Sequence, residues 1–113
     1  MALALNVFQT VVGIVSTSPV DVYTAPVGYT GVVLLAQVAN IGATSQDISL
    51  SHQRTVAGVA VTTEMLKQYP ISGNDTANLL SGKLVLESGD KLVLSGSVAS
   101  NLKFVGSILE TLN

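Results

Sequence analysis

The chain has one imidazole, His52, and no thiol, so any chemistry it performs has few groups to draw on. General acid–base catalysis needs a base oriented by partner groups, nucleophilic catalysis needs that base beside a hydroxyl or thiol, and a histidine-rich metal site needs several imidazoles. His52 shares parity with Ile48 and Leu50 in an alternating segment, which predicts a packed or hydrogen-bonded side chain near a strand end. The carboxylates Asp21, Asp47, Glu64, Asp75, Glu87, Asp90 and Glu110 are scattered, with no short cluster that could drive two pKa values apart. Asp75, in Gly73-Asn74-Asp75-Thr76, sits in what could be the start of a calcium loop, but the repeated acids and terminal glutamate of an EF-hand are missing. A turn whose side chain bonds its own backbone accounts for it better. The run Glu87-Ser88-Gly89-Asp90-Lys91 reads as solvated charges flanking a hairpin turn. Gly28 and Gly31 precede a strand, so they cannot cradle phosphate at a helix N-terminus. Tyr23, Tyr29 and Tyr69 do not fall on one face and read as core edges or interface anchors. No enzyme activity, catalytic residue, cofactor or metal is expected.

The composition points elsewhere. Apolar residues make up 48% of the 113 and charged residues only 11%, against about 25% charged in an average soluble domain. That balance is the reverse of a disordered chain. It leaves the surface to hydroxyls, amides and aliphatic groups, which suits a subunit partly covered by neighbours. The five basic residues, Arg54, Lys67, Lys83, Lys91 and Lys103, form no stripe and the net charge is −2, so no nucleic-acid partner is expected. The opening Met1-Ala2-Leu3-Ala4-Leu5-Asn6-Val7-Phe8 lacks the basic start of a signal peptide, and Asn6, Gln9 and Thr10 interrupt its apolar run. The longest uninterrupted apolar run, Val32 to Ala36, falls far short of the ~20 residues of a membrane helix. No membrane partner is expected, and the chain reads as made in the cytosol and unprocessed.

The elements that would position these residues are strands. β-Branched residues dominate, and turn formers recur every eight to twelve positions, the spacing of a sandwich or barrel. Strands are predicted over Asn6–Val15, Val20–Thr24 (stopped by Ala25-Pro26), Val32–Ala39, Asp47–Gln53, Val59–Thr63 with an extended continuation to Tyr69, Lys83–Glu87, Lys91–Val98 and Leu102–Leu109. Val32–Ala39 is apolar on both parities except for Gln37, so it is expected to be buried on both sides, within a sandwich or against a neighbouring subunit. Asp47–Gln53 alternates, with Ile48 and Leu50 to one side. Lys83–Glu87 and Lys91–Val98 read as a tight hairpin about Ser88-Gly89, and Pro70–Asn78 as a loop. Leu102, Phe104 and Ile108 point inward on the last strand. Seven to nine strands with no helix predict one all-β domain over residues 1–113, an antiparallel β-sandwich of jelly-roll or immunoglobulin-like connectivity. Residues 1–15 form either an ordinary edge strand or an assembly arm that adds to a neighbouring chain. The interface residues expected there are Leu3, Leu5, Val7, Phe8, Val11 and Val12.

The punctuation of these strands carries a resemblance. Val22-Tyr23-Thr24-Ala25-Pro26-Val27-Gly28-Tyr29-Thr30 leads into an apolar strand ending at Asn40, and Ile48-Ser49-Leu50-Ser51-His52 follows. Then come Tyr69-Pro70-Ile71-Ser72-Gly73, Leu79-Leu80-Ser81-Gly82-Lys83-Leu84-Val85-Leu86, Glu87-Ser88-Gly89-Asp90-Lys91-Leu92 and the closing Gly106-Ser107-Ile108-Leu109-Glu110. Over residues 20–110 this pattern resembles small all-β virion structural proteins of tailed bacteriophages of the marine and cyanophage type. The resemblance implies a non-enzymatic structural subunit located in the virion: a capsid decoration or cement protein, or a neck, tail or baseplate component. Its implied partners are other virion proteins and further copies of itself. The alternative is a carbohydrate- or receptor-binding sandwich, for example at a tail tip, for which only Tyr29 and Tyr69 offer loop aromatics.

Overall fold

The structure is a computed structural model that describes residues 6–98 and 101–113. The described residues form nine strands: β1 Asn6–Ile14, β2 Val20–Thr24, β3 Tyr29–Asn40, β4 Gln46–Val56, β5 Val59–Ile71, β6 Asp75–Asn78, β7 Leu84–Leu86, β8 Lys91–Gly96 and β9 Leu102–Leu112. All pairings are antiparallel, in one sheet ordered β1-β9-β3-β6 with β7 also on β3, and a second ordered β2-β8-β4-β5. β6 and β7 lie end to end along one edge of β3, opposite Gln37–Asn40 and Gly31–Val33 respectively. They are one strand interrupted at residues 79–83. Counted as one, they make eight strands in the orders 1-8-3-6 and 2-7-4-5, where nearly every connection crosses between sheets. That is jelly-roll connectivity and not the immunoglobulin arrangement.

Alternation builds the core. β9 turns Leu102, Phe104 and Ile108 inward, β4 contributes Ile48 and Leu50, β8 contributes Leu92 and Leu94, and β3 contributes Val33, Ala36 and Val38. A register shift between Val33 and Leu35 explains the change of parity along β3: an extra residue lets Val33 and Ala36 both face in. Burying each of the valine, leucine, isoleucine and phenylalanine side chains among these is worth about 1.5–3 kcal/mol. One end of the sandwich is tied by Asn40, whose buried amide donates to the carbonyls of Thr44 and Ile71 and accepts from the Gly42 amide. Gly73 packs there against the Ala43 carbonyl, which a Cβ would strike.

Three expectations are corrected. Lys83–Glu87 and Lys91–Val98 do not form a hairpin: β7 pairs with β3 in one sheet, β8 with β2 and β4 in the other. The turn itself exists, closed by the Asp90 amide on the Glu87 carbonyl and with Gly89 at φ 86°, but it carries the chain across the sandwich. The stretch Pro70–Asn78 is not all loop, because β5 runs to Ile71 and β6 begins at Asp75. The strands about residues 54–58 run on into a long β4–β5 hairpin turned at Ala57-Gly58, both with positive φ, as a two-residue type I′ turn requires.

Candidate assembly interface

Among the described residues the carboxylates of Asp90 and Glu110 are buried, and both are engaged within the fold. Asp90, in the turn just before β8, accepts from Arg54 Nε at 2.9 Å and the Arg54 terminal nitrogen at 2.6 Å, from His52 Nε2 at 3.0 Å and from the Glu87 amide at 3.0 Å. The Arg54 guanidinium above all, helped by His52 and the Glu87 amide, holds the Asp90 carboxyl down to about 2 despite its burial. The expectation that Asp90 is a solvated turn charge is therefore overturned. The turn swings its side chain under the β4–β5 hairpin, where two cationic or polar partners from β4 meet it. His52 is inward and half-buried, as its parity implied, and its Nε2–H is committed to Asp90. Glu110 accepts from the Tyr23 hydroxyl at 2.5 Å and the Gln9 amide at 2.6 Å, so it links β9 to β2 and β1. Burial, and then this carboxylate, push the Tyr23 phenol well above its usual range.

The remaining polar candidates disperse. The Asp75 carboxylate accepts from the next amide, Thr76, at 2.8 Å, a local turn bond. Among the described residues no group of three or more histidine, cysteine or acidic side chains is placed to share a metal ion. Tyr23 is in the core, Tyr29 is half-buried on β3, and Tyr69 is exposed on β5 in the other sheet. A shallow groove on the outward face of the β2-β8-β4-β5 sheet is lined by Ser49, Ser51, Gln53, Thr62, Glu64 and Lys67 among others, with no aromatic ring in its wall.

The outward face of the opposite sheet is different. Outward positions on β1 are Asn6, Phe8, Thr10, Val12 and Ile14, and Phe8 and Val12 expose 75% and 71% of their surface. Register places Phe8 beside Leu109 of β9, Leu109 beside Val32 of β3, and Val32 beside Val85 of β7, an unbroken apolar row. Val12 lies beside Val105 in a second row. The break between β6 and β7 leaves Leu34 and Leu35 uncovered at the β3 edge. Phe8, Val12, Ile14, Leu34, Leu35, Val85 and Val105 together leave on the order of 700 Å² accessible, near the roughly 800 Å² each partner brings to a standard interface and above the ~300–600 Å² of a monomer's largest patch. Lys103, beside Ile14, is the one charged side chain at an outward position of β1, β9 or β3 between Phe8 and Ile14 and their register partners.

The structure sorts the six expected interface residues by parity. Phe8 and Val12 stand on the outward face, while Val11 packs against the core and Val7 is half-buried on the same inward parity. Leu3 and Leu5 lie outside the described residues. Residues 6–14 pair with β9 of their own sheet through the whole of β1, which makes that stretch an edge strand of its own sandwich. Alternation could have separated Phe8 and Val12 from Val7 and Val11, but with both parities apolar it had no contrast to work on. Leu35, Val85 and Val105 join the patch only through pairing across the sheet, which no local pattern shows, whereas Ile14 follows from the same β1 alternation as Phe8 and Val12. No family model matches the chain, and neither a curated protein nor a solved structure matches it.

Proposed function

We propose that the chain is a non-enzymatic structural subunit that acts by self-assembly through the outward face of the β1-β9-β3-β7 sheet. The observation that carries this is the apolar face itself. An area of interface size, nearly free of charge, is costly to leave in water and gains about 25 cal/mol for each Å² covered. A net charge of −2 puts little repulsion between copies. The strand punctuation over residues 20–110 supports the finer assignment to a tailed-phage virion, as a decoration or cement subunit or a neck, tail or baseplate component. Jelly rolls recur in viral capsid proteins, an analogy at the level of fold alone.

Light scattering of the purified chain over a dilution series tests self-assembly: a defined oligomer that persists on dilution is the expected result, and a monomer at every concentration would sink it. Mass spectrometry of purified particles tests the virion assignment, which requires the chain among the particle proteins. A second reading, a carbohydrate- or receptor-binding module, draws on the hydroxyl- and amide-lined groove about Ser49, Ser51, Gln53 and Thr62. A glycan array decides it, and binding lost on Ser51→Lys is the outcome it needs.

A further inference from the structure

The β4–β5 hairpin outruns the sheet that supports it. Pairing between β4 and β8 stops at Gln53 opposite Lys91, whereas β4 and β5 stay paired to Val56 opposite Val59. Among the described residues no third strand pairs with residues 54–61, which form a two-stranded ribbon with little stability of its own. Its base is fastened by Arg54 to the buried Asp90. Register puts Val56, Val59 and Val61 on the same side of the ribbon as Arg54, and all three are exposed, Val59 by 64%. From Thr55 to Thr63 there is no charged residue. A polar tip would be ordinary; an anchored, uncharged tip with three valines in water is an element lacking its partner.

We infer that this hairpin is an arm that seats its valines on the apolar outward face of the β1-β9-β3-β7 sheet of a second copy. The inference rests on the self-assembly proposed above and names the contact that would make it. A molecule cannot satisfy its own arm this way, because the arm extends the β2-β8-β4-β5 sheet and the apolar face lies on the far side of the other sheet. The three valines offer on the order of 300 Å², less than half of the roughly 700 Å² of the face, so the arm covers part of it and other contacts complete an interface of the usual roughly 800 Å² per partner. Charge allows it too: the arm has no charged residue from Thr55 to Thr63, and Lys103, the charge on the face, lies at its margin beside Ile14 and Ala39 and can stay in water. Arm on face joins two different patches, so the contact is heterologous and either closes a ring or continues as a line.

The chain has no cysteine, which allows a clean cross-linking test. A Val59→Cys chain is mixed with a Val105→Cys chain and oxidised. The arm predicts disulfide heterodimers in clear excess over either homodimer; a statistical mixture, or no cross-link, overturns it. In the second test residues 55–60 are replaced by Asn-Gly, which rebuilds a two-residue turn from Arg54 to Val61 and leaves every β4–β8 pair intact. Thermal unfolding should be little changed while the assembly mass falls at least twofold. If Val12→Lys dissociates the assembly and the shortened arm does not, the arm fails and the apolar face stands. If neither lowers the mass, both fail.

Discussion

The two outward faces of this sandwich follow the same alternation and have opposite chemistry. On the β2-β8-β4-β5 sheet the outward positions are Ser49, Ser51 and Gln53 of β4, Lys91, Val93 and Ser95 of β8, and Asp21 of β2, whose carboxylate pairs with Lys91 at 3.0 Å. Gln53 donates to Thr62 across the β4–β5 pair. On the β1-β9-β3-β7 sheet the equivalent positions are mainly apolar, Phe8, Val12, Ile14, Val32, Leu35, Val85, Val105 and Leu109, with Thr10, Ser107, Gln37 and Lys103 set among them. Folding does not require this difference, since both sheets already bury their inward sides in the same core. A polar face serves a solvated side, and an apolar one serves a covered side. Under the proposed assembly this contrast marks the covered side, where Phe8, Val12, Ile14, Leu34, Leu35, Val85 and Val105 are exposed together, while the other exposed hydrophobic side chains are spread over β2, β4, β5 and the turns.

The largest effect that sharpens this comparison contrasts two phenylalanines of one sheet. Phe104 is 1% exposed and Phe8 75%. Phe104→Ala should cost about 3–5 kcal/mol of folding stability, whereas Phe8→Ala, measured at a dilution where the chain is dissociated, should stay within about 0.5 kcal/mol. Urea unfolding reads both. A large loss at Phe8 in the monomer would mean that the outward face contributes to the fold itself, and the contrast between the faces would break.

Next is Asp90. Its carboxyl titrates near 2 in the folded chain and near the ordinary ~3.9 when unfolded. A depressed folded value means stability that is fully present above the unfolded pKa and lost as pH falls from about 4 through about 2. With Arg54 part-exposed and screened by solvent, the loss should be about 1–2 kcal/mol. In Asp90→Asn the acid-limb slope between pH 4 and 2 should flatten, as read by unfolding free energy against pH. An unchanged slope would remove Asp90 as the anchor of the hairpin.

The smallest effect is at the hairpin tip. Ala57 holds φ 50° beside Gly58, where a residue with a Cβ is disfavoured and Asn-Gly is the favoured pair. Ala57→Asn should stabilise by about 0.5 kcal/mol without changing the assembly mass, as denaturant midpoints and scattering would show.

Much of the fold was legible because alternation is local. Leu102, Phe104 and Ile108 on β9, and Ile48 and Leu50 on β4, are inward as read, and β2 spans Val20–Thr24. What could not be read was partnership at a distance. The turn at Glu87–Asp90 is written in Ser-Gly, but nothing nearby says that its two flanks enter different sheets. Asp90 looked solvated because its guanidinium partner lies 36 residues away. β6 is four residues, Asp-Thr-Ala-Asn, too short and polar to register as a strand before β3 is there to pair it. The hairpin tip escaped because Ala57-Gly58 lacks the asparagine or aspartate that marks a type I′ turn. The double apolar parity of Val32–Ala39 left two environments open, a sandwich interior or a neighbouring subunit. Val33, Ala36 and Val38 are buried, and Leu34 and Leu35 reach solvent.

The most direct measurement is the solution mass of paired lysine variants, one on each outward face. Val12→Lys and Val105→Lys place a charge on the apolar face, and Ser49→Lys and Ser51→Lys place the same charge on the polar one. Light scattering should show the first pair reduced to monomer, with the second pair keeping the wild-type oligomer mass. Equal masses for both pairs, or dissociation by the serine variants alone, would contradict assembly through the β1-β9-β3-β7 face.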